Sequence, residues 1–262
     1  MAEILIGTSG YSYHEWVGPV YPEGTKQKDY LTCYSGLFPT VELNFSYYRM
    51  PEAKNLSQML ADAGNTLTFS IKAHRTMTHE INPSMWQNEA NIYLKAIEPL
   101  LAAGRLEAVL FQFPYSFHYE DDNRRYLDSL LKYFKEVPVA VEFRTADWCI
   151  TKVFEGMKTR QIPLVSLDLP ELPKLPPTMD IVTSPLAYIR LHGRNKEAWW
   201  GHDHARYDYL YSDNEIEAIA ARIKRLETAR RVLVYFNNHP FGKAVRNAQT
   251  LKKILNLNDL PS

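Results

Sequence analysis

The feature that most constrains the fold is an eightfold alternation of short apolar segments with helix-like segments along 262 residues. The apolar segments hold five to seven residues and are rich in β-branched and aromatic side chains, which predicts buried strands. We predict these strands at Ile4–Thr8, Thr40–Asn44, Leu67–Ala73, Ala108–Phe113, Val137–Phe143, Pro163–Asp168, Ala187–His192 and Val232–Asn237.

Helical patterns fill most of the intervals. The segment Pro51–Gly64 opens on proline and closes on glycine, and Asn88–Ala103 is likewise followed by glycine. Apolar residues recur at spacings of three and four residues in Asn214–Ala229 and again from Ala244 to Leu255, which predicts two helices with one buried face each. Strand alternating with helix eight times predicts an α/β fold, a single (β/α)₈ TIM-type barrel domain over residues 1–262.

Two details refine this prediction. The segment Leu169–Pro177 contains four prolines, so the sixth helix is predicted to be reduced or missing. The alternative is an open doubly wound sheet, which normally carries G-x-G-x-x-G after its first strand. The turn here, Gly7–Ser12, does not match that pattern, which disfavours both the open sheet and a bound nucleotide cofactor.

Chemistry-capable side chains follow nearly every predicted strand, and in a barrel these positions surround the site. Carboxylates and imidazole are the groups that acid/base or metal chemistry needs. We therefore predict catalytic roles for Glu42, Glu142, Asp168 and His192. The predicted ligand-binding residues are Ser9, Tyr11, Asn44, Tyr48, Lys72, His79, Gln112, Arg144, Trp148, Arg190, Gly193, Arg194, Asn237 and Asn238.

Metal binding and paired-carboxylate catalysis are alternatives for the same acidic groups. Glu42, Glu142, Asp168 and His192 are candidate ligands of a divalent cation, but no metal-type spacing joins them and nearby lysine and arginine would compete. The cofactor is therefore left open. Glu42 and Glu142 would need about 5–10 Å between them for glycosidase chemistry. We favour instead a pairing of Glu142 with Arg190, within a network that also neutralises Glu42 and Lys72.

The predicted loops after the first and seventh strands are rich in aromatic residues, among them Tyr11, Trp16, Trp199 and Trp200. Such rings suit stacking on a sugar or a nucleobase, or else form a small core of their own. Barrel enzymes often hold phosphate after strands seven and eight, where this chain carries His192–Asn195 and Asn237–Lys243. A small anionic ligand is the predicted partner.

Charge and hydropathy limit the other partners. Thirty basic and thirty acidic residues give no net charge, which provides no global attraction to nucleic acid, although a local basic patch would still permit binding. No stretch approaches the ~18 apolar residues that span a bilayer, so no membrane association is expected. The first residues lack the features of a secretory signal, and we expect a cytoplasmic protein. The oligomeric state is left open.

Seven motifs in order along the chain resemble the YecE-like family, known as domain of unknown function seventy-two. They are Gly7–Tyr13, Val41–Asn44, Thr78–His79, Phe111–Pro114, Glu142–Arg144, Ile189–Arg194 and Tyr235–Asn238. The resemblance implies a TIM-type barrel, and it implies no function.

Three functions remain as hypotheses. The first is an enzyme that uses acid/base or metal-assisted chemistry on a small anionic ligand, such as a sugar phosphate or nucleotide. The second is a barrel that binds or processes nucleic acid, with aromatic rings stacked on exposed bases. The third is a non-catalytic scaffold or partner-binding protein, in which the strand-end network only stabilises the fold.

Overall fold

The computed structural model describes residues 2–201 and 204–257. Each of the eight segments predicted as a strand forms one, which confirms that part of the sequence analysis. The strands are β1 Glu3–Thr8, β2 Thr40–Leu43, β3 Thr68–Lys72, β4 Leu106–Gln112, β5 Val139–Glu142, β6 Ser166–Asp168, β7 Leu186–Leu191 and β8 Arg231–Phe236.

Helices fill the intervals between most of the strands. They are α1 Tyr30–Ser35, α2 Phe45–Tyr48, α3 Ala53–Asp62, α4 Trp86–Ala102, α5 Asp121–Tyr133, α6 Thr151–Thr159, α7 Asp213–Lys224 and α8 Lys243–Ile254. Helix α7 begins with a capping box between Ser212 and Glu215 and buries the apolar face that its periodicity predicts. Residues 169–185, all described, contain no helix, as the prolines there predict.

The strands form two parallel four-stranded sheets, in the orders β1-β8-β7-β6 and β2-β3-β4-β5. Single parallel bridges, Ser9 to Glu42 and Val141 to Leu164, take the place of a continuous ladder between the neighbouring edges of the two sheets. The observed architecture is therefore an α/β fold with two sheets, rather than the one continuous ring that the sequence predicts. Short edge strands contribute to the interruption, because β2 and β5 have four residues and β6 has three.

A tyrosine hydroxyl explains the interruption between β1 and β2. Tyr34 Oη accepts a hydrogen bond from Thr8 N at 2.9 Å and donates one to the Thr40 carbonyl at 3.1 Å, in place of a direct ladder bond. The strands nevertheless come close. A Cβ at Gly7 would lie 2.0 Å from the Thr40 carbonyl oxygen, so only glycine fits there.

Side chains from both sheets share one buried cluster. Tyr188 and Leu233 from one sheet pack with Leu110 and Ala140 from the other. The hydroxyl of Tyr235 on β8 lies 2.7 Å from Thr40 Oγ1 on β2 and 3.0 Å from Ser70 Oγ on β3. These contacts hold the sheets against each other, with their parallel strands delivering the carboxyl ends to one side.

A second, larger cluster packs the other faces of the strands against the helices. Within the described ranges, no helix combines the length and the run of apolar residues that crossing a membrane requires.

Candidate functional site

A buried ionic cluster lies under the carboxyl ends of the strands. Arg190 on β7 donates from Nη2 to Glu42 Oε1 and from Nη1 to Glu142 Oε2, both at 2.7 Å. All three side chains are at most 3% exposed. Arg190 therefore joins β7 to β2 and β5, which belong to the opposite sheet. The predicted pairing of Glu142 with Arg190 is confirmed.

Hydroxyl groups complete the coordination of Glu42. Ser9 Oγ donates to its Oε1 at 2.7 Å, and Tyr188 Oη donates to its Oε2 at 2.6 Å. Burial, and then the charge of Glu42, raise the pKa of Tyr188 well above its ordinary value, so this phenol stays a donor. Every oxygen of Glu42 is occupied by a protein donor, which is the arrangement of a structural carboxylate.

Glu142 has a second arginine partner, Arg144, whose Nε donates to Oε1. Burial acts to raise the pKa of Glu142, but the guanidinium groups of Arg144 and Arg190 outweigh it and hold the pKa below the ordinary value. Glu142 is thus a carboxylate at neutral pH. A general acid would need the opposite shift.

His192 lies beside this pair. Its Nε2 is 3.2 Å from Arg144 Nη2 and 3.8 Å from Glu142 Oε1, and its Nδ1 is 2.9 Å from the Asn237 amide nitrogen. Burial, followed by the charges of Arg144 and Arg190, lowers the pKa of His192 well below its ordinary value. The ring is therefore neutral at physiological pH.

Asp168 belongs to a separate cluster. Arg194 holds it with two hydrogen bonds of 2.8 and 2.7 Å, and Arg222 of α7 adds a third at 3.1 Å. Tyr211 Oη donates to the same carboxylate at 3.0 Å. Because Arg194 binds both carboxylate oxygens and Arg222 binds one of them, Asp168 holds the loop after β7 against α7.

Above the ionic cluster lies a cavity of about 300 Å³. Residues at the ends of β3 and β4 and in the connections after β2 to β7 line it. They are Tyr47, Tyr48, Lys72, His79, Gln112, Pro114, Tyr115, Arg144, Leu175, Trp199, Trp200, Arg206 and Tyr207. Three of these described residues are cationic and none carries a carboxylate, so the lining has a positive charge.

Lys72 provides the most unusual group of this cavity. Its Nζ donates to Gln112 Oε1 at 2.7 Å and lies 4.0 Å from the centre of the Tyr47 ring. Among the described residues no carboxylate comes within 4.0 Å of it. Burial, and then the positive charge of Arg190, lower the pKa of Lys72 to about 7.

His79 lines the same cavity. Its ring lies edge-on to Tyr47, with centroids 4.8 Å apart, and its Nδ1 is 2.9 Å from Thr78 Oγ1. Burial and then the charge of Lys72 lower the pKa of His79 to about 4. Lys72 and His79 therefore contact the same tyrosine ring. At pH 7 the Lys72 amine is near its pKa, and the His79 imidazole is neutral.

The predicted site residues fall into three groups. Five line the cavity: Tyr48, Lys72, His79, Gln112 and Arg144. Six take part in the polar contacts beneath it: Ser9, Glu42, Glu142, Arg190, His192 and Asn237. The remaining seven, Tyr11, Asn44, Trp148, Asp168, Gly193, Arg194 and Asn238, are not part of the lining. Their assigned roles stay predictions.

The two loops proposed for phosphate are bound internally. Gly193 N donates to Tyr211 Oη at 2.8 Å, and Asn238 Nδ2 donates to the Tyr209 carbonyl at 2.8 Å. Lys243 pairs with Asp208.

Some of the aromatic residues pack in the core, and others lie where they could stack on a ligand. Trp16 and Tyr21 are buried in the core, as is Trp148 between Phe117 and Phe143, whereas Trp199 and Trp200 border the cavity.

The candidate metal ligands are held by other partners. In residues 2–201 and 204–257, no three His, Cys, Asp or Glu side chains form a group that could hold a metal ion. The carboxylates of Glu42, Glu142 and Asp168 are bound by arginines, as described above.

Sequence reasoning missed Arg206. It lies in the long connection between β7 and α7 rather than at a strand end. The density of aromatic and basic residues from Trp199 to Tyr207 was the sequence signal that could have identified it.

Comparison with known proteins gives consistent similarities over the whole chain. The sequence pattern of the family described as "Protein of unknown function DUF72" matches residues 5–261. The chain is 28% identical to "UPF0759 protein YunF" of Bacillus subtilis (strain 168), over 97% of this chain and 95% of that protein.

Two solved structures are also similar. A DUF72 family protein from Thermotoga maritima has a TM-score of 0.89 at 35% identity, covering 97% of this chain and 99% of the other. A DUF72 family protein from Enterococcus faecalis has a TM-score of 0.87 at 26% identity, covering 99% and 98%.

Proposed function

The chain belongs to the DUF72 family of proteins of unknown function, and on the chemistry of its own cavity we propose that it is an enzyme for a small anionic ligand. The ligand would be of the size of a sugar phosphate or a nucleotide. In this proposal Lys72 transfers protons, while Arg144 and Arg206 hold the anionic group.

The observation that carries the proposal is the charge of the lining. Lys72, Arg144 and Arg206 face one cavity whose described lining holds no acidic side chain. Arginine forks bind phosphate and carboxylate groups with matched geometry and stay charged at every physiological pH. Arg144 is already paired with Glu142, so the positive charge that a bound anion would compensate is mainly that of Arg206 and Lys72.

Size and wall composition support a small ligand with a flat or apolar part. The volume of about 300 Å³ is at the lower end for ligand sites. Trp200, which is 55% exposed, and Tyr207 supply aromatic faces, while Trp199 backs the wall and is only 3% exposed. Such faces stack on sugar rings and nucleobases.

The position of Lys72 supports a chemical role. An amine with a pKa of about 7 exchanges its proton near physiological pH, where acid/base catalysis is most efficient. Keeping this amine buried beside Arg190 opposes folding, and the contacts that offset this cost are one hydrogen bond to Gln112 and the face of the Tyr47 ring. Strongly perturbed groups in a cavity are characteristic of functional sites.

We also propose that residues 1–262 form one domain in which the two sheets act as a closed (β/α)₈ barrel. The bridges at Ser9 and Val141, the Tyr34 hydroxyl and the reach of Arg190 across the sheets support closure. In such barrels the site lies at the carboxyl ends of the strands, where this cavity is.

The test is a calorimetric titration with matched ligands. Sorbitol 6-phosphate should bind and sorbitol should not, and AMP should bind more tightly than adenosine. Replacing Arg206 with glutamine should weaken binding of sorbitol 6-phosphate about 10- to 100-fold, because one charge-assisted hydrogen bond is lost. Arg125→Gln is the control, since the Arg125 side chain is 72% exposed on α5.

Unchanged affinity in Arg206→Gln, or equal binding of sorbitol and its phosphate, would refute the proposed anion site.

A further inference from the structure

We propose that Lys72 is a nucleophile that forms an imine with the carbonyl group of an anionic aldehyde or ketone in the cavity. This inference rests on the proposed function and narrows its substrate class to carbonyl compounds that carry a phosphate or carboxylate.

The partners of Lys72 are not those of a lysine that only neutralises acidic groups. A lysine that serves only to neutralise buried carboxylates would bind one directly, and two are close by. Both are already bound by arginine: Glu42 by Arg190, and Glu142 by Arg190 and Arg144. Lys72 Nζ is left with a neutral amide, Gln112 Oε1, and the face of the Tyr47 ring.

Lys72 also borders the space that a ligand would occupy. Lys72 and Gln112 both line the cavity, and the Lys72 amine reaches the Gln112 side chain at 2.7 Å, which places the amine near a ligand bound there. Desolvation and neighbouring cations are the two means by which enzymes make a lysine nucleophilic, and both act here. At a pKa of about 7, roughly half of the Lys72 amines are uncharged at pH 7. An ordinary lysine is uncharged in fewer than about one molecule in a thousand.

The chemical step balances without any oxidant or reductant. The lone pair of the neutral Lys72 amine attacks the carbonyl carbon, and a C–N bond forms while the C=O π bond breaks. One amine proton passes to the oxygen and gives a carbinolamine. The second amine proton leaves with that hydroxyl as water, and the C=N bond forms.

Neighbouring groups suit this step. His79 is neutral at pH 7 and lines the same cavity, so it adds no further positive charge beside the amine. Arg144 and Arg206 would hold the phosphate or carboxylate, so that the carbonyl of the same molecule is brought to Lys72. Uncharged carbonyl compounds would lack this anchor.

The experiment is reductive trapping at pH 7. The full-length protein is incubated with glycolaldehyde phosphate and sodium cyanoborohydride, which reduces an imine to a stable secondary amine. Intact mass and peptide mapping then give the number and position of added groups. We expect one group per chain, on Lys72, and at least a 10-fold slower reaction with uncharged glycolaldehyde.

Controls separate this inference from the proposed function. Sorbitol 6-phosphate, which has no carbonyl, should protect Lys72 from trapping. Lys72→Met should lose the modification, and Lys135→Met should keep it, because the Lys135 side chain is 74% exposed. Peptide mapping of the unaltered protein locates the modified lysine even if Lys72→Met does not fold.

Each outcome has one meaning. Binding of sorbitol 6-phosphate without preferential trapping at Lys72 refutes the imine and leaves the proposed function standing. If sorbitol 6-phosphate does not bind and Lys72 is not trapped, both the proposed function and the imine are refuted. Trapping of charged and uncharged aldehydes at equal rates refutes the anionic substrate class.

Discussion

Replacing Arg190 with methionine is expected to lower the free energy of unfolding by about 3–5 kcal/mol, the usual loss when one partner of a buried ion pair is removed. Arg190 forms ion pairs with both Glu42 and Glu142 at 2.7 Å, and neither carboxylate is exposed. Glu142 would keep Arg144, whereas Glu42 would keep only two hydroxyl donors.

Urea unfolding followed by circular dichroism measures this loss. Arg125→Met is the matched control, since its side chain is 72% exposed and its ion pair is expected to contribute less than about 1 kcal/mol. Adding Glu42→Gln to Arg190→Met should recover part of the stability, because the uncompensated charge of Glu42 is then gone, whereas Glu142 keeps Arg144. A loss below about 1 kcal/mol for Arg190→Met would show that the cluster does not hold the two sheets together.

Replacing Lys72 with methionine is expected to stabilise the protein near pH 7 and to flatten its pH dependence. Folding lowers the pKa of Lys72 to about 7, mainly by burial, from about 10.4 in the unfolded chain. Between these values the unfolded chain binds more protons, so wild-type stability rises with pH by up to about 1.4 kcal/mol per unit. The penalty is complete below pH 7 and is relieved above pH 10.

The measurement is the difference in unfolding free energy between Lys72→Met and the wild type from pH 6 to 10. The variant should be more stable at pH 6–7, and the difference should shrink steadily as the pH rises. Lys135→Met should show no such slope, because the Lys135 ammonium is exposed. A constant difference across this range would show that the Lys72 amine titrates normally, and the role assigned to it would fail.

The strands, and the absence of a helix between β6 and β7, were predictable from the sequence because both depend on local patterns. Apolar segments of strand length define β1 to β8, and four prolines prevent a helix between β6 and β7. The break between β1 and β2 was not predictable. It depends on the hydroxyl of Tyr34 from α1 bridging Thr8 and Thr40, a contact between distant parts of the chain.

The site was predictable to the extent that it is built from strand ends. Lys72 and Gln112 end β3 and β4, Arg144 follows β5, and all three meet in the cavity, as the placement rule for barrels suggests. Asp168 also ends a strand, but Arg222 on a helix and Arg194 bind it. The pKa of Lys72 depends first on its burial and then on the charges of Arg190 and its other neighbours, and only the three-dimensional arrangement gives these.

The central claim is that the cavity above Arg190 receives a small anion beside the Lys72 amine. The most direct measurement is a crystal structure of the protein saturated with sorbitol 6-phosphate. We predict phosphate density within hydrogen-bond distance of Arg206 or Arg144, with the polyol directed toward Lys72. Ligand density only in another depression, such as the one between α5 and α6, or an empty cavity at saturating ligand, would contradict the claim.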